Sequence, residues 1–238
     1  MKFSRIFRFL LLVLGLTVGL SAVGQRRKIQ NKPFIDTRRW HYGFNIGFHD
    51  QGLHLVGNGY TDEAGNQWVA ECDRQNIGLS VGVLGSLKLN NYLELRFNPG
   101  LSFGAKHIQF VNLLDGKTDS QDMKSTYIAL PLDLKVSAPR FNNFRPYVVG
   151  GVQPAYDLTS GKHTKVKAKP FNMMLEVGMG CDFYMPFFKF IPELKFCFGL
   201  NNVLEKNRSD LTDPTQQIFT QSLDGATAGM FVLTFYFE

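Results

Sequence analysis

Long apolar runs are nearly absent from these 238 residues. Only residues 9–20 form a continuous apolar core, of twelve residues. That is short for a spanning helix, which needs about 20, and no later run approaches it, so a helical membrane protein is excluded. Cysteine is scarce too. Cys72, Cys181 and Cys197 are an odd number, which excludes a complete disulfide framework. Cys181 shares the parity of Val177 and Met179, whereas Cys197 falls on the polar parity of its stretch, so no bridge between those two is expected. The five histidines (41, 49, 54, 107 and 163) lack the close pairing of a zinc site. Gly178 and Gly180 lie inside a strand-like pattern, without the strand–helix context of a nucleotide loop. An acyl-transfer reading would rest on His107 with a neighbouring Ser. No catalytic residue, metal or cofactor is expected, and the chain reads as a non-enzyme.

The net charge of +6 is partly an effect of the leader. Lys2, Arg5 and Arg8 precede the apolar core, and Ala22, Val23 and Gly24 follow it as small residues at a cleavage position, so residues 1–24 read as a secretory signal peptide. Without those three basic residues the charge is about +3 and the mature chain begins near Gln25. A nucleic-acid role thereby loses its main support. Residues 25–39 are polar and basic, with Asp36 as the one acid, and are expected to form a flexible periplasmic lead-in or a contact for acidic lipid headgroups or a periplasmic partner.

Phenylalanine, by contrast, is abundant, at 22 residues, and glycine follows at 23. From Trp40 onward the apolar residues recur with a period of two, the signature of strands. Tyr42, Phe44, Ile46 and Phe48 open the series; Phe231, Leu233, Phe235 and Phe237 end it. A large-aromatic strand at residues 227–238 would leave a hydrophobic edge in a soluble protein. Paired with the first strand it closes a barrel, the arrangement lipid requires. It also resembles the C-terminal strand that the outer-membrane assembly machinery reads, so these four residues are assigned to insertion and closure.

Eight such strands can be counted, separated by connections that alternate long and short. Long polar stretches occupy residues 57–76, 112–124, 159–170 and 201–224; residues 90–91, 138–145 and 185–187 make short ones. Transmembrane barrels have short periplasmic turns and longer outer loops. The predicted fold is therefore all-β: an eight-stranded antiparallel outer-membrane barrel over residues 40–238, with long extracellular loops and the N-terminus in the periplasm. Loops near Asn66, Lys117, Lys162 and Asp213 are expected outside, and Asn91 and Asn142 inside.

Charge placement follows the same parity. Glu94, Arg96, Asp133, Lys135, Glu176, Asp182, Lys189, Glu193 and Lys195 all lie opposite the apolar stripe. On the lipid side a mid-depth Lys or Arg costs about 2–4 kcal/mol; in a lumen the mixed signs can pair. They are read as a structural lumen network rather than a proton relay. Pro99, Pro131, Pro154 and Pro192 remove ladder donors and predict local bulges. In the 159–170 loop, Lys162, Lys165, Lys167 and Lys169 accumulate without an acid, a contact for lipopolysaccharide or for an acidic surface partner.

Several stretches resemble the PorT family of eight-stranded outer-membrane barrels, components of the type IX secretion system. The likeness lies in Tyr127-Ile128-Ala129-Leu130-Pro131-Leu132-Asp133-Leu134-Lys135, in Arg145-Pro146-Tyr147 with Gly150-Gly151, in residues 178–184, and above all in residues 188–202, which include Pro192-Glu193-Leu194-Lys195-Phe196 and Gly199-Leu200-Asn201-Asn202. The resemblance implies a role in exporting proteins with C-terminal secretion signals, such as proteases and adhesins, and carries no catalytic residues. An eight-stranded barrel has room inside only for side chains, so such a protein is not the conduit. The expected function is an accessory or assembly role alongside other secretion components; the alternative is a stand-alone structural or adhesive barrel acting through its loops.

Overall fold

Trp40, Tyr42, Phe44, Ile46 and Phe48 alternate with His41, Gly43, Asn45, Gly47 and His49, and in the computed structural model this stretch is extended, with the aromatic series facing outward. The structure describes residues 29–61, 65–74, 76–160, 166–206, 218–219 and 221–238. The predicted leader, residues 1–24, lies outside the described residues, as do Lys162, Lys165 and the loop position Asp213. The chain divides into two units, Met1–Gln30 and Asn31–Glu238, and every strand belongs to the second.

The described strands are β1 (Trp40–Gly57), β2 (Trp68–Arg74), β3 (Ile77–Lys88), β4 (Leu93–Phe97), β5 (Gly100–Asn112), β6 (Thr118–Ala129), β7 (Leu132–Ser137), β8 (Phe144–Asp157), β9 (Phe171–Tyr184), β10 (Lys189–Gly199) and β11 (Leu223–Phe237). All pairings are antiparallel. β1 pairs with β3, β3 with β4 and β5, these with β7 and β6, both of those with β8, and the series runs on through β9, β10 and β11. β11 then returns to β1, with Phe44 opposite Phe237 and Phe48 opposite Leu233. That circuit has no free edge, which is what an apolar environment without water demands.

Eleven strands stand where the alternation predicts eight, and three local causes account for the difference. Asn98 and Pro99 interrupt one predicted strand between β4 and β5, and Leu130 and Pro131 interrupt the next between β6 and β7. Pro131 supplies its carbonyl to the Asn98 amide and Pro99 supplies its own to Val83, so each break keeps its acceptor role while lacking a donor. β2 is the third addition: it pairs with the far end of β5 inside a stretch expected to be loop. The expected bulges lie elsewhere, since the register shifts fall between Val56 and Gly57 and between Glu71 and Arg74. Pro154 and Pro192 stay within β8 and β10, although the β9–β10 register skips from Phe190↔Phe183 to Glu193↔Gly180 around Pro192.

Burial is inverted relative to a soluble sheet. Ile46, Leu79, Val81, Leu101, Ile128, Val148 and Val177 are exposed on the outside, while Ser86, Arg96, Asp133, Lys135 and Glu193 are buried within. Stacked rings strengthen the seam where the ends of the chain meet: Phe44 lies 5.1 Å from Phe237 and Phe190 5.8 Å from Phe235. β1 and β5 end where the expected loops begin, at Gly57 and Asn112, whereas β6 starts within one. Residues 118–124 form strand rather than loop, because their outward positions (Thr118, Ser120, Asp122, Lys124) are polar while Gln121 and Met123 still point inward.

Candidate functional site

The interior has four levels, counted from the end with the short turns. At the turn end, residues 31–37 cross the mouth, in the segment expected to be a flexible lead-in. Ile35–Thr37 form one 3₁₀ turn. The Asp36 carboxylate accepts from the Tyr184 hydroxyl at 2.8 Å and from Arg140 at 3.2 Å, and Arg145 stands 3.9 Å away. The Lys88 ammonium donates to the Asp36 carbonyl. Asn31 donates its backbone N–H to Asn143 Oδ1 at 2.8 Å and its side-chain amide to the Tyr184 carbonyl at 2.9 Å. The Arg140 guanidinium carbon lies over the Tyr184 ring, 3.5 Å from its centroid. Asp36, the one acid of a basic stretch, is the residue that meets the cations of the turns.

Above the mouth lies the charged level, where the structure brings together all nine residues predicted as the lumen network. Lys135 reaches Asp182 at 2.8 Å and Glu94 at 3.7 Å, and Lys189 reaches Asp182 at 3.3 Å. Arg96 bonds Glu193 at 2.5 Å and approaches Glu94 at 3.8 Å. Lys195 joins Asp133 at 2.5 Å, Glu176 at 3.2 Å and Glu193 at 3.4 Å. Cross-strand register builds one of these contacts, Glu94 opposite Lys135, and also sets Arg96 opposite Asp133, across β4 and β7. Others span the lumen, as Arg96 on β4 does to Glu193 on β10.

Period-two reading alone does not single out the partners that complete this level. Tyr147 and Tyr236 donate their hydroxyls to the two oxygens of Glu193 at 2.5 and 3.0 Å, and both rings lie against the Arg96 guanidinium, at 5.4 and 4.8 Å. Glu238 turns its side chain inward to Lys189 at 3.2 Å and His41 at 2.5 Å. The visible signal for Tyr147 and Tyr236 was their parity, opposite the outward stripe. A cavity of about 60 Å³ adjoins the network at the proline breaks, lined among others by Asn98, Ser102, Gln153, Glu176 and Lys195.

A third, mostly uncharged level holds His49, Gln51, Lys106, Ser125 and Tyr127. Beyond it the lumen is filled by an apolar plug. Ile108, Phe110 and Met123 from the strands meet Val166, Leu204 and Phe219 from the long connections. Phe219 packs edge-on against Trp68 at 5.1 Å and against Phe110 at 4.7 Å. Hydrogen bonds hold the connections in place. Gln121 both donates to the Val166 carbonyl at 3.1 Å and accepts its N–H at 3.0 Å, and Asn202 accepts from Leu204 and Ala226, each at 3.0 Å. Val166 and Ala168 point inward, so of the predicted lysine patch Lys169 is exposed and Lys167 half-buried. Phe231 is exposed on the outer wall, and Leu233, Phe235 and Phe237 are half-buried there beside their neighbours. None of the three cysteines is joined to another by a disulfide. Among the described residues no cluster of three His, Cys, Asp or Glu side chains is arranged to hold a metal.

The solved structures to which this chain is similar include three that cover most of its length. Ail, the attachment invasion locus protein of Yersinia pestis, solved in complex with the heparin analogue sucrose octasulfate, is 14% identical with a TM-score of 0.38, over 84% of this chain and 99% of its own. OprG of Pseudomonas aeruginosa is 12% identical with a TM-score of 0.45, over 88% and 97%. The N-terminal β-barrel domain of Pseudomonas aeruginosa OprF is 15% identical with a TM-score of 0.29, over 81% and 96%. No curated protein matches the chain. The family model described as outer membrane protein beta-barrel domain matches residues 25–205, three-quarters of the sequence. The chain belongs to that family of outer-membrane β-barrel proteins.

Proposed function

We propose that this protein is a non-enzymatic accessory or assembly component of type IX secretion, built as eight transmembrane staves with its N-terminus in the periplasm. In this reading β4–β5 and β6–β7 are each one stave broken at proline, and β2 stands beyond the bilayer as part of an outer loop. The unbroken circuit of pairings supports that count, and the alternation of long and short connections supports the orientation. The filled lumen is the observation that carries the functional reading. A charged level below and an apolar plug above leave no passage for a polypeptide, so the protein acts through its surfaces, on a translocon or on its cargo. The link to type IX secretion rests on the resemblance of residues 127–135 and 188–202 to the PorT family. Lipopolysaccharide and other components of the secretion apparatus are the partners this role requires.

Deleting the gene and measuring export of proteins with C-terminal secretion signals tests the role; unimpaired export would favour a stand-alone structural or adhesive barrel. Cysteine labelling of intact cells, in a variant without the native cysteines, tests the orientation. Labelling at position 66 but not at 91 is expected, and the reverse would invert it.

A further inference from the structure

Lys106 is a buried cation that the charged network does not use. It lies on β5 with its side chain in the lumen, 2% exposed, opposite Met123 and two residues from Ile108, both part of the plug. Arg96, Lys135, Lys189 and Lys195 each have a carboxylate within 4.0 Å. Among the described residues Lys106 has none. Its ammonium donates to the Tyr127 hydroxyl at 2.7 Å and sits 5.0 Å from that ring's centroid. A phenol offsets only part of the cost of a buried charge, which without a counter-charge amounts to several kcal/mol.

Of the groups beside Lys106, the Ser125 hydroxyl and His49 Nδ1 are buried donors without acceptors, and Gln51 Oε1 is a buried acceptor without a donor. Ser125 is its diagonal neighbour across the β5–β6 ladder, opposite Gly104, and its buried hydroxyl has no partner. His49 and Gln51 reach over the same glycine: a Cβ at Gly104 would stand 3.1 Å from His49 Nε2 and 3.3 Å from the Gln51 amide. Gly104 thus opens the space that brings these side chains to Lys106. Gln51 Nε2 bonds His49 Nε2 at 2.7 Å, which places the ring proton on Nδ1, and Nδ1 is buried without a partner. The Tyr127 oxygen accepts from Lys106, leaving its own proton to give.

We propose that Lys106, Tyr127, Ser125 and His49 form an internal site for a small monovalent anion of halide size. Such a site would draw on one cation and three neutral donors, with the plug on its loop side and the ion pairs on its turn side. The anion is a structural counter-ion taken up as the barrel folds.

Protein refolded and crystallised in sodium bromide instead of chloride tests the site directly. An anomalous peak in contact with Lys106 Nζ is expected; ordered water there with no anomalous signal overturns the proposal. In detergent, chloride should raise the unfolding midpoint relative to gluconate at equal ionic strength, and that shift should disappear in Lys106→Met and shrink in Ser125→Ala. Equal midpoints in the two anions, or an undiminished chloride shift in Lys106→Met, overturns it as well. Should Lys106→Met fail to fold, the bromide experiment on the unaltered protein decides alone.

Discussion

The two halves of the lumen solve the same packing problem by opposite chemistry. In the charged level above the mouth, the filling comes mainly from strand side chains, and they supply charge: Arg96, Lys135 and Lys195 against Asp133, Asp182 and Glu193. At the loop end, strands and connections together supply hydrocarbon, with Phe219 wedged between Trp68 and Phe110. A buried ion pair is directional and tolerates no missing partner, whereas an apolar cluster is non-directional and tolerates substitutions that keep its volume. Charges on regular strands are therefore held where register sets their positions. Segments arriving from long connections, whose course register does not dictate, are held by the forgiving chemistry of the plug.

Arg96→Ala should cost the most stability. It strips Glu193 of its closest cation and leaves a carboxylate buried, a loss of about 3–5 kcal/mol. Heat-modifiable gel migration should show a large drop in the unfolding midpoint; an unchanged midpoint for Arg96→Ala and for Lys195→Ala would mean that the pairs contribute nothing. Asp36→Ala follows in size. It removes charged hydrogen bonds at a half-exposed mouth, worth about 1.5–3 kcal/mol, and should speed proteolysis of residues 31–39 while the barrel stays resistant. Equal protection of that segment in both proteins would show that Asp36 does not hold it. Ile108→Val in the plug should cost only about 0.5–1.5 kcal/mol; a loss as large as that of Arg96→Ala would erase the distinction between the halves. The smallest effect on stability belongs to Lys167→Glu with Lys169→Glu, within about 0.5 kcal/mol because the residues are at the surface. Secretion is the telling readout there. Its failure in a barrel that still inserts favours partner docking, and its survival leaves the lysines to lipid.

Which residues face out and which face in can be read from the order of residues along each strand. Facing in a strand is a local property with a period of two, so Phe44, Leu101, Val177 and Phe231 were legible as wall and the nine interior charges as lumen without any knowledge of pairing. The alternation of connection lengths was legible for the same reason, since turns announce themselves in Gly, Asn and Asp. Which side chain meets which depends instead on the closed sheet. The contact of Arg96 with Glu193 depends on two strands 97 positions apart reaching across one lumen. Residues 118–124 and β2 read as loop because polar outward positions dilute the alternation once the wall rises above its apolar band. Asp36 at the mouth, Phe219 in the plug and Lys106 beside Tyr127 are each defined by neighbours that only the closed sheet brings within reach.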